Sequence, residues 1–176
     1  MMPIDQTAPD AGKASQSPGF DRAGFIEAFG ACFRNGAFLA GRAFDSATVP
    51  LTEPDSIYAA LRDQFHAASV AERLEVLKAY TPLDPAVKAV QIVENEQQSS
   101  GLRAMTAGQQ ARLLDLLPRY AEKFGFDVIF VVRNYSTASL LASLEERILD
   151  SYETELRTTY REVEQLAEIL VRSRLS

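Results

Sequence analysis

Residues 91–102 read QIVENEQQSSGL, and the Glu96-Gln97 step within them has the residue types that proton chemistry needs. In a helix, Glu96 lies three and Gln97 four residues after Val93, on the face that otherwise packs inward. A carboxylate turned toward an apolar face either pairs with a cation or has its pKa raised, and both suit a site. The alternative is a solvated Glu96 beside Glu94 on a frayed helix end. A second stretch, LKAYTPLD at 77–84, breaks a helix at Tyr80-Thr81-Pro82. Residues just past a helix end can point into a cleft. A third, FGFDVIFVVRN at 124–134, is the one β-like run in the chain. Nothing else in the sequence pairs with it, so it is expected as a buried extended segment rather than a sheet strand. Its N–H and C=O groups then need partners, either lining a pocket or bonding to neighbouring helix ends as a plain connector.

The elements that must position these residues read as helices. Asp21 can cap a helix carrying Phe25, Ile26, Phe29 and Phe33, closed by Asn35-Gly36. A short helical turn is expected to hold Phe38, Leu39 and Phe44. Pro54 opens the next helix, with Ile57, Leu61 and Phe65 inward. Ser69-Val70-Ala71-Glu72 forms a capping box ahead of Leu74 and Leu77. Asp84-Pro85 starts a helix through Val87, Val90 and Val93. Thr106-Ala107-Gly108-Gln109 is a second capping box, leading a helix with Leu113, Leu117, Tyr120 and Phe124 on one stripe and a bend at Pro118. Ser136 caps a helix bearing Leu140, Leu141, Leu144 and Ile148. The last helix carries Leu156, Tyr160, Val163, Leu166 and Leu170. The class is all-α, a single-domain helical bundle over residues 20–176. The polar lead-in over 1–19, rich in Pro, Ser and Gly, is expected to be disordered.

Composition narrows the functional classes. A net charge of −6, with both signs mixed along the helices, argues against nucleic acid as the main partner. No apolar run approaches the roughly 18 residues that span a bilayer, and no signal peptide is read, so neither a membrane partner nor secretion is expected. One cysteine and one histidine cannot build a zinc site, so no metal is expected. Cys32 reads as a buried core thiol on an apolar helix face, in keeping with a reducing cytoplasm.

EQQSSGL at 96–102, followed by RYAEKFGFDVIFVVRNYS at 119–136, resembles the 2-oxo-4-hydroxy-4-carboxy-5-ureidoimidazoline (OHCU) decarboxylases, the lyases of urate breakdown that produce (S)-allantoin. The resemblance extends in order over roughly residues 20–175, taking in the early phenylalanine helix, ERLEVLKA and TELRTTYREVEQLAEIL. It implies an all-helical bundle, often a homodimer, acting without a cofactor on a small heterocyclic substrate. Glu96 would then handle the proton and Gln97 would position the substrate. Backbone groups around Phe126, Val128 and Ile129 would bind ring carbonyls.

The departures bear on mechanism. The family carries His-Pro-x-Leu after the ERLEVLKA-like helix, and here that histidine falls on Tyr80 or Thr81. Either would donate a hydrogen bond from the old histidine site, but a phenol titrating near 10 is no substitute for an imidazole near 6.5. The only histidine, His66, reads as an exposed helix residue. The family's C-terminal arginine falls near Leu170, which shares a stripe with Val163 and Leu166. Arg172 lies about 200° around the helix from it and points away. Arg174 returns to the same face one turn further out, either as a solvated terminal residue or as a cover for the lost role. The family serine three residues before the glutamate is Val93. These changes are expected to make the ordinary reaction slow or absent. They point to a diverged lyase on an oxidised purine or ureide, with an ordinary decarboxylase or a non-catalytic relative as the other readings.

Overall fold

The computed structural model describes residues 19–83 and 105–176. Among these, the chain forms seven α-helices and one 3₁₀ turn and no strand: α1 (Arg22–Phe29), α2 (Ala37–Ser46), α3 (Pro54–Ala67), α4 (Val70–Lys78), α5 (Ala107–Phe124), the turn Val132–Asn134, α6 (Thr137–Leu149) and α7 (Tyr152–Arg174). The all-α expectation holds. The lead-in, the helix expected from Asp84 and the Glu96-Gln97 step lie outside the described residues.

Local signals set most helix starts. Asp21 accepts the Gly24 N–H at 2.7 Å, and Phe20 packs edge-on to Phe25 at 6.3 Å, stapling the first turn of α1. Ser69 and Glu72, Thr106 and Gln109, and Ser136 and Ser139 make reciprocal capping contacts at the starts of α4, α5 and α6. Each satisfies amides that a helix start leaves without an internal partner.

Two early boundaries differ from the periodic reading. α1 stops at Phe29, not beyond Phe33, because the chain folds back on itself at Gly30. A side chain there would come within 3.2 Å of the Ala37 backbone. Asn35 then takes a left-handed conformation, φ 53°, to enter α2. Phe33, outside the helix, is still buried and stacks on Phe65 at 4.8 Å. α2 is a full helix of ten residues rather than a short turn. In α5 the helix continues across Pro118. Pro118 and Leu114 are both exposed, so water can serve the carbonyl that proline leaves unbonded. Leu116, not Leu117, takes the inward position.

α1, α2 and α3 pack in succession, α5 packs on α6, and α7 lies along α3. The contacts of α3 with α7 run antiparallel: Asp55 meets Arg172 at one end, and Phe65 meets Tyr160 edge-on at 5.4 Å at the other. One continuous core fills the interior, from Phe25 to Val171.

The inner face of α7 is the largest departure from the expected stripe. Glu155, Thr159 and Glu162 are buried beside Val163, Leu166, Ala167 and Val171, whereas Leu156, Tyr160 and Leu170 are only half-buried. The polar residues are tolerated there because each has a partner. Arg147, 4 % exposed, donates from Nε to Glu155 Oε1 at 2.9 Å and from Nη2 to the same oxygen at 2.5 Å. Tyr120 and Thr159 donate to that oxygen as well. Burial works against the Arg147 charge, but the Glu155 carboxylate outweighs it and raises the guanidinium above its ordinary range.

This cluster holds the FGFDVIF segment. Arg147 Nη1 donates to the Ile129 carbonyl at 3.0 Å, and its guanidinium stacks on the Phe130 ring at 4.6 Å. Glu162 accepts the Val131 N–H at 2.6 Å and the Tyr135 hydroxyl at 2.7 Å. The segment is extended, buried and without sheet partners, as expected; its backbone is bonded by charged side chains from within α6 and α7 instead of by helix ends. Removing one partner of a buried ion pair leaves the other uncompensated. Arg147→Ala is expected to cost about 3–5 kcal/mol, and Arg147→Met with Glu155→Leu markedly less than the two single changes summed. Urea denaturation of the four proteins checks this; additive costs would contradict it.

Candidate functional site

α4 ends at Lys78, and the Tyr80 N–H closes its last turn onto Leu77 O at 3.2 Å. The chain then leaves in an extended step that turns Tyr80 and Leu83 inward, each 4 % exposed, while Thr81 and Pro82 face out. Alternation in an extended step produces this division. Of the two residues expected at the histidine position, Tyr80 is therefore the one inside.

The Tyr80 hydroxyl finds no hydrogen-bond partner at ordinary geometry among the described residues. The backbone of Arg34 approaches it without completing a bond, and the Cys32 thiol lies within electrostatic range. Burial raises the phenol well above its ordinary range, more than the nearby Arg34 charge can offset. At neutral pH this group is a hydrogen-bond donor and not a base.

Cys32 is fully buried in the turn after α1. Burial pushes its thiol up to about 11, against the pull of the Arg174 guanidinium beside it. Arg174, the last residue of α7, is exposed, and its charge lies within electrostatic range of the buried sulfur. Among the described residues neither Arg34 nor Arg174 is in an ion pair. Arg172 behaves as expected: it faces out and bonds Asp55 at 2.7 Å and Glu168 at 2.9 Å. Leu170 sits half-buried at the edge of the core.

Tyr80 and Arg174, two of the sequence-derived site residues, each lie within electrostatic range of Cys32. Phe126, Val128 and Ile129 are buried between α5, α6 and α7. The Ile129 carbonyl is occupied by Arg147, so that acceptor is spent on the fold. Among the described residues, the N–H groups of Val128 and Ile129 take no partner, so donors are what this stretch can offer a ligand. Glu96 and Gln97 lie outside the described residues. His66 is exposed and bonds Glu164 at 2.7 Å. No cluster of ligating side chains that could hold a metal ion occurs among the described residues. Sequence reasoning took Cys32 for a buried core thiol, which it is, and gave Arg34 no role. The one available signal was the i, i+4 relation of Arg174 to Leu170, which returns Arg174 to the inner face.

The helix order, the long closing helix and the charge-held connector define an all-helical domain of one type. The profile of the OHCU decarboxylase family matches residues 18–172, and the chain belongs to that family. It is 29% identical to the 2-oxo-4-hydroxy-4-carboxy-5-ureidoimidazoline decarboxylase of Haloferax volcanii over 152 residues, which is 86% of this chain and 89% of the relative. It is 27% identical to a uric acid degradation bifunctional protein of a Bacillus species, covering 81% of this chain and 28% of that longer protein. Among solved structures, an (S)-allantoin synthase superposes with a TM-score of 0.72 at 21% identity, over 89% of this chain and 51% of that one. An OHCU decarboxylase crystallised in the presence of (S)-allantoin gives 0.67 at 19% identity, over 85% and 97%. These two superpositions establish the fold.

An unpartnered buried hydroxyl costs stability, so its removal should be harmless to the fold. Tyr80→Phe is expected to leave the urea midpoint unchanged or raise stability by up to about 1 kcal/mol. A loss of about 1 kcal/mol or more would show that the hydroxyl is bonded within the protein.

Proposed function

We propose that this protein is a cofactor-free, decarboxylase-like lyase acting on an oxidised purine or ureide, in which Tyr80 stands in the family's histidine position as a donor. The observation that carries the reading is the buried Tyr80 hydroxyl, which has no hydrogen-bond partner among the described residues and lies within range of the Arg34 charge, in a chain of this family. The relatives named for urate degradation and for OHCU decarboxylation supply the substrate class.

In this reading the carbon–carbon bond to the substrate carboxylate breaks, CO₂ leaves, and the electron pair stays on the ring carbon until it is protonated. Glu96 hands over that proton, and Gln97 fixes the ring beside it. Tyr80 donates to a substrate oxygen, with Thr81 flanking it on the outer side. Unbonded N–H groups near Phe126, Val128 and Ile129 meet ring carbonyls, and Arg174 supplies the positive charge. Loss of a general acid–base group costs roughly 10²- to 10⁴-fold, so turnover of the ordinary decarboxylase substrate is expected to be slow. The site works as one protomer or within a homodimer in the cytoplasm. No helix among the described residues is long and apolar enough to cross a membrane.

The test generates the unstable decarboxylase substrate in place from urate and follows (S)-allantoin by circular dichroism, beside a panel of alkylated and uncharged ureides. Glu96→Gln is expected to lower kcat for whichever compound is turned over by at least about 10²-fold. Unchanged kcat in that variant would overturn the proposal and favour a binding protein.

The pH profile gives an independent check. Tyr80 is held protonated to well above pH 10, so its donor function is present throughout the neutral range and is lost only as pH rises past its raised pKa. The profile of kcat/KM is therefore expected to show no inflection of imidazole type near 6.5. Such an inflection, abolished by His66→Gln, would mean that His66 has taken the family's role.

A further inference from the structure

Two buried side chains take backbone groups of the 126–131 connector from one side only. Arg147 holds the Ile129 carbonyl at 3.0 Å, and Glu162 holds the Val131 N–H at 2.6 Å. In an extended chain the N–H and C=O of one residue point the same way, and those of the next residue point the opposite way. Ile129 and Val131 therefore turn their polar groups toward α6 and α7, while Val128 and Phe130 turn theirs away. Val128 and Phe130 are each 1 % exposed, and neither their N–H nor their C=O groups have a partner among the described residues. Buried backbone groups are rarely left so. The roll of the connector is also fixed from its side chains. The other carboxylate oxygen of Glu162 accepts the Tyr135 hydroxyl at 2.7 Å. The Phe130 ring meets the Arg147 guanidinium at 4.6 Å and the Tyr135 ring edge-on at 4.9 Å.

We infer that Glu162 is a positioning residue: with Arg147 it sets the roll of the connector so that Val128 and Phe130 present their N–H and C=O groups as a binding edge for the –NH–CO– groups of a ureide. The inference rests on the ureide reading of the site and carries it further, from donors alone to an edge that both donates and accepts. It also moves the second donor from Ile129, whose N–H lies on the α7 side with its carbonyl, to Phe130. A ring that alternates N–H with C=O pairs with such an edge as a neighbouring strand would. A ring with methylated nitrogens leaves the Val128 and Phe130 carbonyls unpaired, and its affinity falls. Glu162 acts on the ligand only through the Val131 amide.

Amide NMR and isothermal titration on the full chain test this, with hydantoin, a cyclic ureide, and 1,3-dimethylhydantoin as the pair of probes. In the wild type, hydantoin is expected to shift the Val128 and Phe130 amide signals more than those of Ile129 and Val131. It should also bind about tenfold more tightly than the dimethyl compound. Glu162→Met is expected to lose that preference. Glu162→Gln keeps an oxygen for the Val131 N–H and should retain it within about twofold. A purely structural role would lower the folded fraction and leave the ratio of the two affinities unchanged. Thermal melts establish that each variant is folded, and the wild-type signal pattern decides the matter if Glu162→Met is not. No hydantoin binding, largest shifts at Ile129 and Val131, equal affinities in the wild type, or full preference in folded Glu162→Met would overturn the inference. For any ureide that is turned over, Glu162→Met should raise KM about tenfold with kcat within about twofold, because the edge binds ground and transition state alike. A lower kcat at unchanged KM would instead mark a structural role. Unselective binding by a wild type that processes a ureide defeats this inference alone. Selective binding without any turnover defeats the lyase reading alone.

Discussion

A guanidinium inside a protein must be neutralised where it sits, and Arg147 is the charge around which this domain is arranged. Its pairing with Glu155 joins α6 to α7 across the turn at Asp150–Ser151, and its remaining nitrogen fixes the Ile129 carbonyl. All four donors converge on Glu155 Oε1, while Oε2 has no partner among the described residues. Burying such a pair is not the cheapest way to stabilise a helical bundle, since well-packed apolar residues often do as well. What it adds is a definite path for a backbone segment that has no sheet to join. Glu162 repeats the device one step further along, at Val131.

From that frame the rest of the domain follows. With the 126–131 segment fixed against one face of α7, another face of the same helix is free to lie along α3. Cys32, Tyr80 and Arg174 each lie near a helix end, after α1, after α4 and at the last residue of α7. Backbone at such points is least committed to internal hydrogen bonds. In the proposed reading the family's scaffold is kept while the group at the histidine position has changed from a base to a donor. A buried phenol cannot assume the imidazole's role near neutral pH, whatever its exact neighbours.

Helix starts were legible because their signals are local: Ser69 with Glu72 and Thr106 with Gln109 are complete within four residues. The early boundaries were not. Gly30 ends α1 through contact with Ala37, which no periodicity within α1 reveals, and at Gly41 in α2 the Arg22 guanidinium occupies the space a side chain would take. The inner face of α7 was misjudged for a related reason. Glu155 and Glu162 read as solvent residues until their partners, Arg147 and the Val131 amide, are seen to lie opposite. At the candidate site, the sequence left Tyr80 and Thr81 as alternatives, and the extended step after α4 decides which of them is buried. That the Arg174 charge lies within electrostatic range of Cys32 joins opposite ends of the domain and could not be read from either end.

The measurement that bears most directly on the exchange of base for donor is (S)-allantoin formation by Tyr80→His, alone and with Leu170→Arg, against the wild type. With the scaffold intact and only the proton-transfer group changed, the wild type should be slow and the histidine variant faster by at least about tenfold, within the range that a general acid–base group contributes. Wild-type turnover at least as fast as that of both variants would contradict the account.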